Sequence, residues 1–322
     1  MNWNKDEQIV EIYNETLKTN NIDITKINEE LLNNILDSSY NPVFIGTTWK
    51  LYKYLQEESK YKNKLFWIAS GNTVGFFKYH GHIPWDDDID IGFEIHNHGE
   101  YIDFLIECIN KGFVVNLHLR RENNDKLNWY ENDNIVNLIL NNTENPSWPH
   151  IKENEFRQLI REDPTKLYFG SITILEYQWK KIAERLKFDN IYSWNKISIT
   201  TPWVDVVPYL IKNNKYIPMT NDNQKIISDL STTVEYHDFL SISGKFPVNL
   251  LDGILHQYNE DRSFNNFIHW DAVYSHIKKN KIIIEYDKEK ELHKFIRAFI
   301  IKYNDKLLDY MKKIKYDELV ML

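Results

Sequence analysis

Apolar positions along the chain recur with two different periods. Ile9, Ile12 and Leu17 within residues 3–20, and Ile27, Leu31, Leu32 and Ile35 within 25–38, fall at helical spacing. A further helix is predicted from Thr47 to Lys60. The run KLFWIAS (64–70) is short, apolar and closed by Ser-Gly, which reads as a buried strand. A short helix follows over Asn72 to Tyr79, and His80 to Trp85, with Gly and Pro, reads as a loop. From Asp87 to Phe93 acidic and apolar residues alternate, the period of a strand with one face in the core. His98 to Lys111 is predicted helical and GFVVNLHLR (112–120) extended. Residues 121–165 are polar, with Asn, Pro and Asp clusters, and read as an irregular insertion. Tyr177 to Lys187 is a helix, KISITTPWVDVVPYL (196–210) contains a strand, and LLDGILHQY (250–258) and residues 292–314 are helical. The last carries an apolar stripe of Leu292, Phe295, Phe299, Leu307 and Met311, the pattern of a helix docked on a core.

Strands interspersed with helices indicate an α+β fold. The organisation expected is a helical region over 1–62, a catalytic core over 63–210 interrupted at about 121–165, and a mostly helical region over 211–322. Of the 322 residues, 42% are hydrophobic and 27% charged, which permits a sizeable packed core. The net charge of −8 argues against a nucleic-acid-binding surface or a basic membrane-binding face. The single cysteine, Cys108, excludes an internal disulfide and any zinc site built on several cysteines. No apolar run approaches the roughly 20 residues of a membrane span, and the N-terminal residues have no apolar signal core. A soluble, cytoplasmic protein is expected, in a bacterium or in the host cytoplasm of a virus.

The chemistry concentrates at Asp86, Asp87, Asp88 and Asp90, four carboxylates within five residues and flanked by apolar side chains. Burying like charges this close is costly unless something neutralises them. On a strand, Asp88 and Asp90 project to one face while Ile89 and Ile91 face the core. Two carboxylates held so make half of a site for Mg²⁺ or Mn²⁺, which take oxygen ligands. Asp86 shares their parity and Asp87 is expected to face the other way. Upstream, Ser70-Gly71-Asn72 stands between a strand and a helix N-terminus, where backbone N–H groups and the helix dipole favour phosphate. An EF-hand is excluded, because Ile91 occupies its glycine position and Asn97 its bidentate glutamate position. His80-Gly81-His82 and His96-Asn97-His98 lack cysteine partners and read as exposed loop histidines. Trp85 is expected to pack beneath the acidic strand.

The segment SGNTVGFFKYHGHIPWDDDIDIG resembles the signature of the LicD/fukutin family, within the nucleotidyltransferase superfamily that includes DNA polymerase β. The family pattern reads approximately S-G-T-L-L-G-x-x-R-x-x-x-x-I-P-W-D-D-D-x-D-I. It is matched at Ser70, Gly71, Gly75, Ile83, Pro84, Trp85, Asp86, Asp87, Asp88, Asp90 and Ile91. The chain departs from it at Asn72-Thr73 and at Lys78, where arginine is common. Trp203-Val204-Asp205-Val206-Val207-Pro208 resembles the W-x-D-x-x-P context of the family's third acid, and FPVNLLDGILHQYNED (246–261) a late family segment.

What the resemblance implies is a polymerase β-like core with a short mixed sheet flanked by helices. It also implies transfer of a phosphorylated small alcohol, such as phosphocholine or an alditol phosphate, from a CDP-linked donor to a sugar or glycan hydroxyl. Asp88, Asp90 and Asp205 would be catalytic and would ligate Mg²⁺ or Mn²⁺, with Asp86 as a further ligand. Ser70, Gly71, Asn72 and Lys78 would bind substrate phosphate. The base is left open among Asp205, His80 and His82. Two other readings stay in play: a glycosyltransferase that holds a nucleotide-sugar diphosphate through Asp-x-Asp, which would need a Rossmann-like half before residue 64, and an inactive binding relative.

Overall fold

A computed structural model of the chain describes residues 6–57, 64, 66–120, 135–140, 150–162, 167–188, 201–213, 215–218, 234–239, 242–247, 270–275, 280–285 and 290–320. Three helices come first: α1 (Glu7–Asn20), α2 (Glu29–Ser38) and α3 (Pro42–Glu57). Short polar side chains start each of them. Asp6 accepts from the Gln8 N–H at α1, Asn28 from the Leu31 N–H at α2, and Asn41 from the Val43 N–H at α3. The last helix begins five residues before the predicted Thr47. Asn41-Pro42 supplies a cap followed by a proline at the first helical position, where its missing N–H costs nothing.

Strand β1 (Phe66–Ile68) leads into α4 (Ser70–Tyr79), then a loop, then β2 (Ile89–Ile95) and α5 (His98–Asn110). After these come β3 (Val114–Arg120), β4 (Ile135–Leu140), β5 (His150–Ile151), α6 (Glu153–Glu162), β6 (Leu167–Thr173), α7 (Glu176–Arg185), β7 (Trp203–Lys212) and β8 (Lys215–Pro218). They form one eight-stranded sheet in the order β1-β2-β7-β6-β3-β4-β5, with β8 paired to β7. The sheet is mixed: β2–β7 and β4–β5 run parallel, and the remaining pairs are antiparallel. The α+β class with a mixed open sheet is thus observed. The segment read as an irregular insertion is not wholly irregular, since β4, β5 and α6 fall inside it.

Beyond β8 lie the hairpins β9 (Val234–Phe239) with β10 (Ile242–Pro247) and β11 (Trp270–Ser275) with β12 (Asn280–Glu285), then α8 (Lys290–Lys313). Among the described residues the C-terminal region is therefore mixed, where mostly helix was expected. Alternating stretches such as VEYHDF carry β-branched and aromatic residues that favour a pleated surface. The predicted helix over 250–258 lies outside the described residues. Helix α8 matches its predicted stripe: Leu292, Phe295, Phe299, Leu307 and Met311 are all buried.

One continuous core joins the helices to one face of the sheet, through Ile68, Ile89, Ile91, Phe93, Val115, Leu117, Ile172, Val204 and Val206. The alternate residues of these strands, among them Trp67, Asp90, Ser171, Asp205 and Tyr209, project from the other face. No helix among the described residues is long and apolar enough to cross a membrane.

Candidate metal and phosphate site

Parallel pairing sets the geometry. The register of β2 on β7 places Asp90 opposite Asp205, and that of β7 on β6 places Asp205 opposite Ser171. Asp88 stands just before β2. One carboxylate oxygen from each of Asp88, Asp90 and Asp205 lies within 4.8 Å of the others. Two oxygens bound to one Mg²⁺ at about 2.1 Å are at most about 4.2 Å apart, so little closure is needed to grip an ion. Asp88 and Asp90 are half-buried and Asp205 is buried. Ile89 and Ile91 are fully buried on the opposite face, as the alternation predicts, and Trp85 is in the core.

The electrostatics are those of an uncompensated acidic cluster. Burial raises Asp88 well above the usual carboxylate range, and the charges of Asp90, Asp87, Asp205 and Asp86 raise it further. Asp90 is raised by burial, Asp205 and Asp86, and only partly relieved by the Gly71 N–H, which donates to it. Burial pushes Asp205 up to about 7, against hydrogen bonds from Ser171 and Asp88 that lower it. Acids whose charged forms are disfavoured by burial and by one another suit a hard divalent cation, whose charge would compensate theirs.

Asp86 and Asp87 form a second grouping with Asp88, again with oxygens within 4.8 Å of one another. Burial and the neighbouring Asp87 push Asp86 up to about 8. Asp87 is not turned wholly away from its neighbours, as strand parity suggested, because residues 86–88 precede the strand. It is buried and accepts from the Tyr40 hydroxyl at 3.2 Å.

Helix α4 is aimed at this cluster. Its first residue is Ser70, and a Cβ on Gly71 would stand 3.2 Å from Asp86 Oδ2, so the close backbone approach expected of Gly71 is made to a carboxylate of the chain itself. Asn72, expected on substrate phosphate, has an inward role instead. It is 1% exposed, and its amide nitrogen donates to Asp86 Oδ2 and to the Asp88 carbonyl, both at 3.2 Å, while its oxygen accepts from the Asp90 N–H at 2.6 Å. Lys78 lies in the last turn of α4, about 12 Å along the axis from Ser70, so it is not grouped with the first turn.

The loop histidines divide. His80 is exposed, with positive φ at the C-cap of α4. His82 is fully buried, contrary to the expectation of an exposed loop residue. Its Nε2 donates to the Asp86 carbonyl at 3.1 Å, its ring lies against Trp49 and Tyr303, and burial lowers its pKa to about 4. Its backbone is held by Asn304 of α8: the His82 N–H donates to Asn304 Oδ1 at 2.9 Å, and Asn304 Nδ2 donates to the His82 carbonyl at 3.1 Å. A Cβ on Gly81 would stand 2.8 Å from Asn304 Nδ2, so this contact depends on glycine. His82 is thus a neutral structural residue, which removes it from the possible bases.

Sequence reasoning missed Ser171 and His118. Ser171 donates to Asp205 Oδ1 at 2.5 Å, and His118 Nε2 lies 2.8 Å from Ser171 Oγ. In VVNLHLR, alternation puts Asn116 and His118 opposite Val115 and Leu117, and that pattern was a usable signal. Nothing local marks Ser171.

A mixed sheet thus carries two half-buried acids and one buried acid close together, beside the N-terminal turn of a helix. Residues 63–158 match the family model LicD/FKTN/FKRP, nucleotidyltransferase domain. Over that segment the chain is similar to the LicD/fukutin family, whose members are in general transferases that modify glycans. The match takes in Asp86, Asp87, Asp88 and Asp90 and ends before Asp205. No curated protein and no solved structure matches the chain.

Proposed function

We propose that the chain transfers a phosphorylated small alcohol from a CDP-linked donor to a sugar hydroxyl, with Mg²⁺ or Mn²⁺ held by Asp88, Asp90 and Asp205. The observation that carries this reading is the convergence of three carboxylates from two paired strands and the residue just before one of them, two of the three inside the family segment. When bound, the ion would neutralise the donor diphosphate and favour in-line attack. The chain's own residues do the rest. Ser70 begins α4 and directs the positive end of the helix dipole toward the anionic substrate. Gly71 and Asn72 fix the positions of Asp90, Asp86 and the backbone between them. Asp86 stands at the rim as a further oxygen donor, and Lys78 supplies positive charge at the far end of α4. Asp205 remains as the acceptor for the hydroxyl proton, since His80 caps the end of α4 away from the acids.

The glycosyltransferase reading calls for a Rossmann-like half before residue 64, and residues 6–57 are helical. The test uses the full chain with Mn²⁺. CDP is expected to raise the unfolding temperature more than UDP, and a panel of CDP-alcohols with candidate sugars is expected to release CMP. Stabilisation by UDP-sugars alone would transfer the site to glycosyl chemistry. No response to either nucleotide would leave the chain a binding relative.

A further inference from the structure

The acidic triad does not end at Asp205. The polar face of the sheet continues across two more strands, with Ser171 of β6 opposite Asp205 and Asn116 of β3 opposite Ser171. His118, two residues along β3 from Asn116, reaches diagonally to Ser171 Oγ at 2.8 Å. Proton accounting fixes the direction of the chain. A serine hydroxyl has one proton, and Ser171 gives it to Asp205 Oδ1. The oxygen left behind can only accept, so His118 Nε2 carries the hydrogen and donates. The sequence is His118 Nε2–H to Ser171 Oγ–H to Asp205 Oδ1. Ser171 is 4% exposed and Asp205 8% exposed, so water is a poor substitute for either bond.

We propose that His118 and Ser171 are positioning residues for the metal site: their two bonds in series hold one oxygen of Asp205, so that its carboxylate presents the other to the ion beside Asp88 and Asp90. This rests on the metal-dependent reading of the site. The physical reason is general. A carboxylate that must bind a cation performs best when its orientation is set beforehand, and a donor on its distal oxygen does this without competing for the ion. Asp205 needs such help most, because it comes from β7 while Asp88 and Asp90 are fixed by the Gly71 and Asn72 contacts of α4.

The experiment is calorimetric titration of Mn²⁺ alone into the full chain, with thermal unfolding of each variant recorded in parallel. Ser171→Ala and His118→Leu are each expected to weaken Mn²⁺ binding by about 10- to 100-fold, the usual cost of losing an outer contact to a metal ligand. Ser171→Thr keeps the hydroxyl, and His118→Gln carries an amide N–H near the place of Nε2. Both are expected to stay close to wild type, a recovery that mere packing would not explain. Ser171→Ala removes a single oxygen, so it reports even if His118→Leu fails to fold. Wild-type affinity in Ser171→Ala would overturn the proposal while leaving the metal site standing. Absence of Mn²⁺ binding by the wild-type chain would overturn the function proposed above, and this inference with it.

Discussion

Strand β2 presents two faces built from alternating residues of one short segment. Ile89, Ile91, Phe93 and Ile95 are fully buried against the helices, while Asp90, Gly92 and Glu94 project from the opposite face. Strand β7 repeats the division, with Val204 and Val206 on the core side and Asp205 beside Asp90 on the other. The apolar face gains free energy from burial, at about 25 cal/mol per Å². The polar face loses free energy, because carboxylates of like charge are brought close in partly dried surroundings. The stiffness that the first face provides is what allows the second to exist. Stability and chemistry are therefore separable residue by residue along the same strand.

The sharpest way to break this comparison is a pair of neighbouring substitutions. Asp90→Asn is expected to cut transfer on the order of 10²- to 10³-fold, the loss typical of removing one electrostatic contact at a reacting centre. The same change is expected to leave the fold equally stable or more so, since it removes a charge from a repelling set. Ile91→Ala, one residue on, is expected to do the reverse. It should cost about 2–5 kcal/mol of stability, read by denaturant unfolding, while the folded fraction keeps its transfer rate. Equal loss of stability in both variants would dissolve the distinction between the faces.

A smaller effect is expected at Asn72, which serves both sides. Asn72→Ala strips the buried Asp90 N–H of its acceptor and should cost about 1–3 kcal/mol. It should also loosen Mn²⁺ binding, because the backbone between Asp88 and Asp90 is no longer bracketed.

The gentlest probe is pH. Burial pushes Asp205 up to about 7 and Asp86 up to about 8, against 3.8 for an unperturbed aspartate. The folded chain thus binds more protons than the unfolded one between those values. Stability without divalent ions is therefore greatest at or below about pH 4 as far as these groups are concerned, and declines as pH rises to about 8. A melting temperature that falls by a few degrees over that range, and is restored by Mn²⁺ at the alkaline end, is the expected result. His82, lowered to about 4 by burial, opposes the acids below about pH 6.5, so the decline is clearest from about pH 6.5 to 8, and a flat profile there would mean that the acids are already compensated.

How much of this was legible in the sequence follows from how local each signal was. The alternation from Asp87 to Phe93 reports strand period within seven residues, so β2 and its two faces were readable. The stripe of α8 was readable for the same reason, and the short segment WVDVVP located Asp205. Sheet membership of β4, β5 and β6 was not readable, since pairing is decided by distant chain and the intervening residues are polar. The burial of His82 was hidden because the group that closes over it, Asn304, lies 222 residues away. The inward turn of Asn72 escaped notice because its three contacts all fall 14 to 18 residues downstream.

The hold of Asn304 on the 80–82 loop has a consequence for how the protein comes into being. The stretch that carries the family match, 63–158, contains neither the third acid at 205 nor the latch at 304. Excised on its own it would have two ligands without their third, and an acidic loop with nothing to shut against. In a chain emerging from the ribosome, the 80–82 loop would be pinned only when α8 docks and closes a loop of more than two hundred residues. A chain cut short of α8 would therefore keep its acids but leave the 80–82 loop without the partner that fixes its backbone.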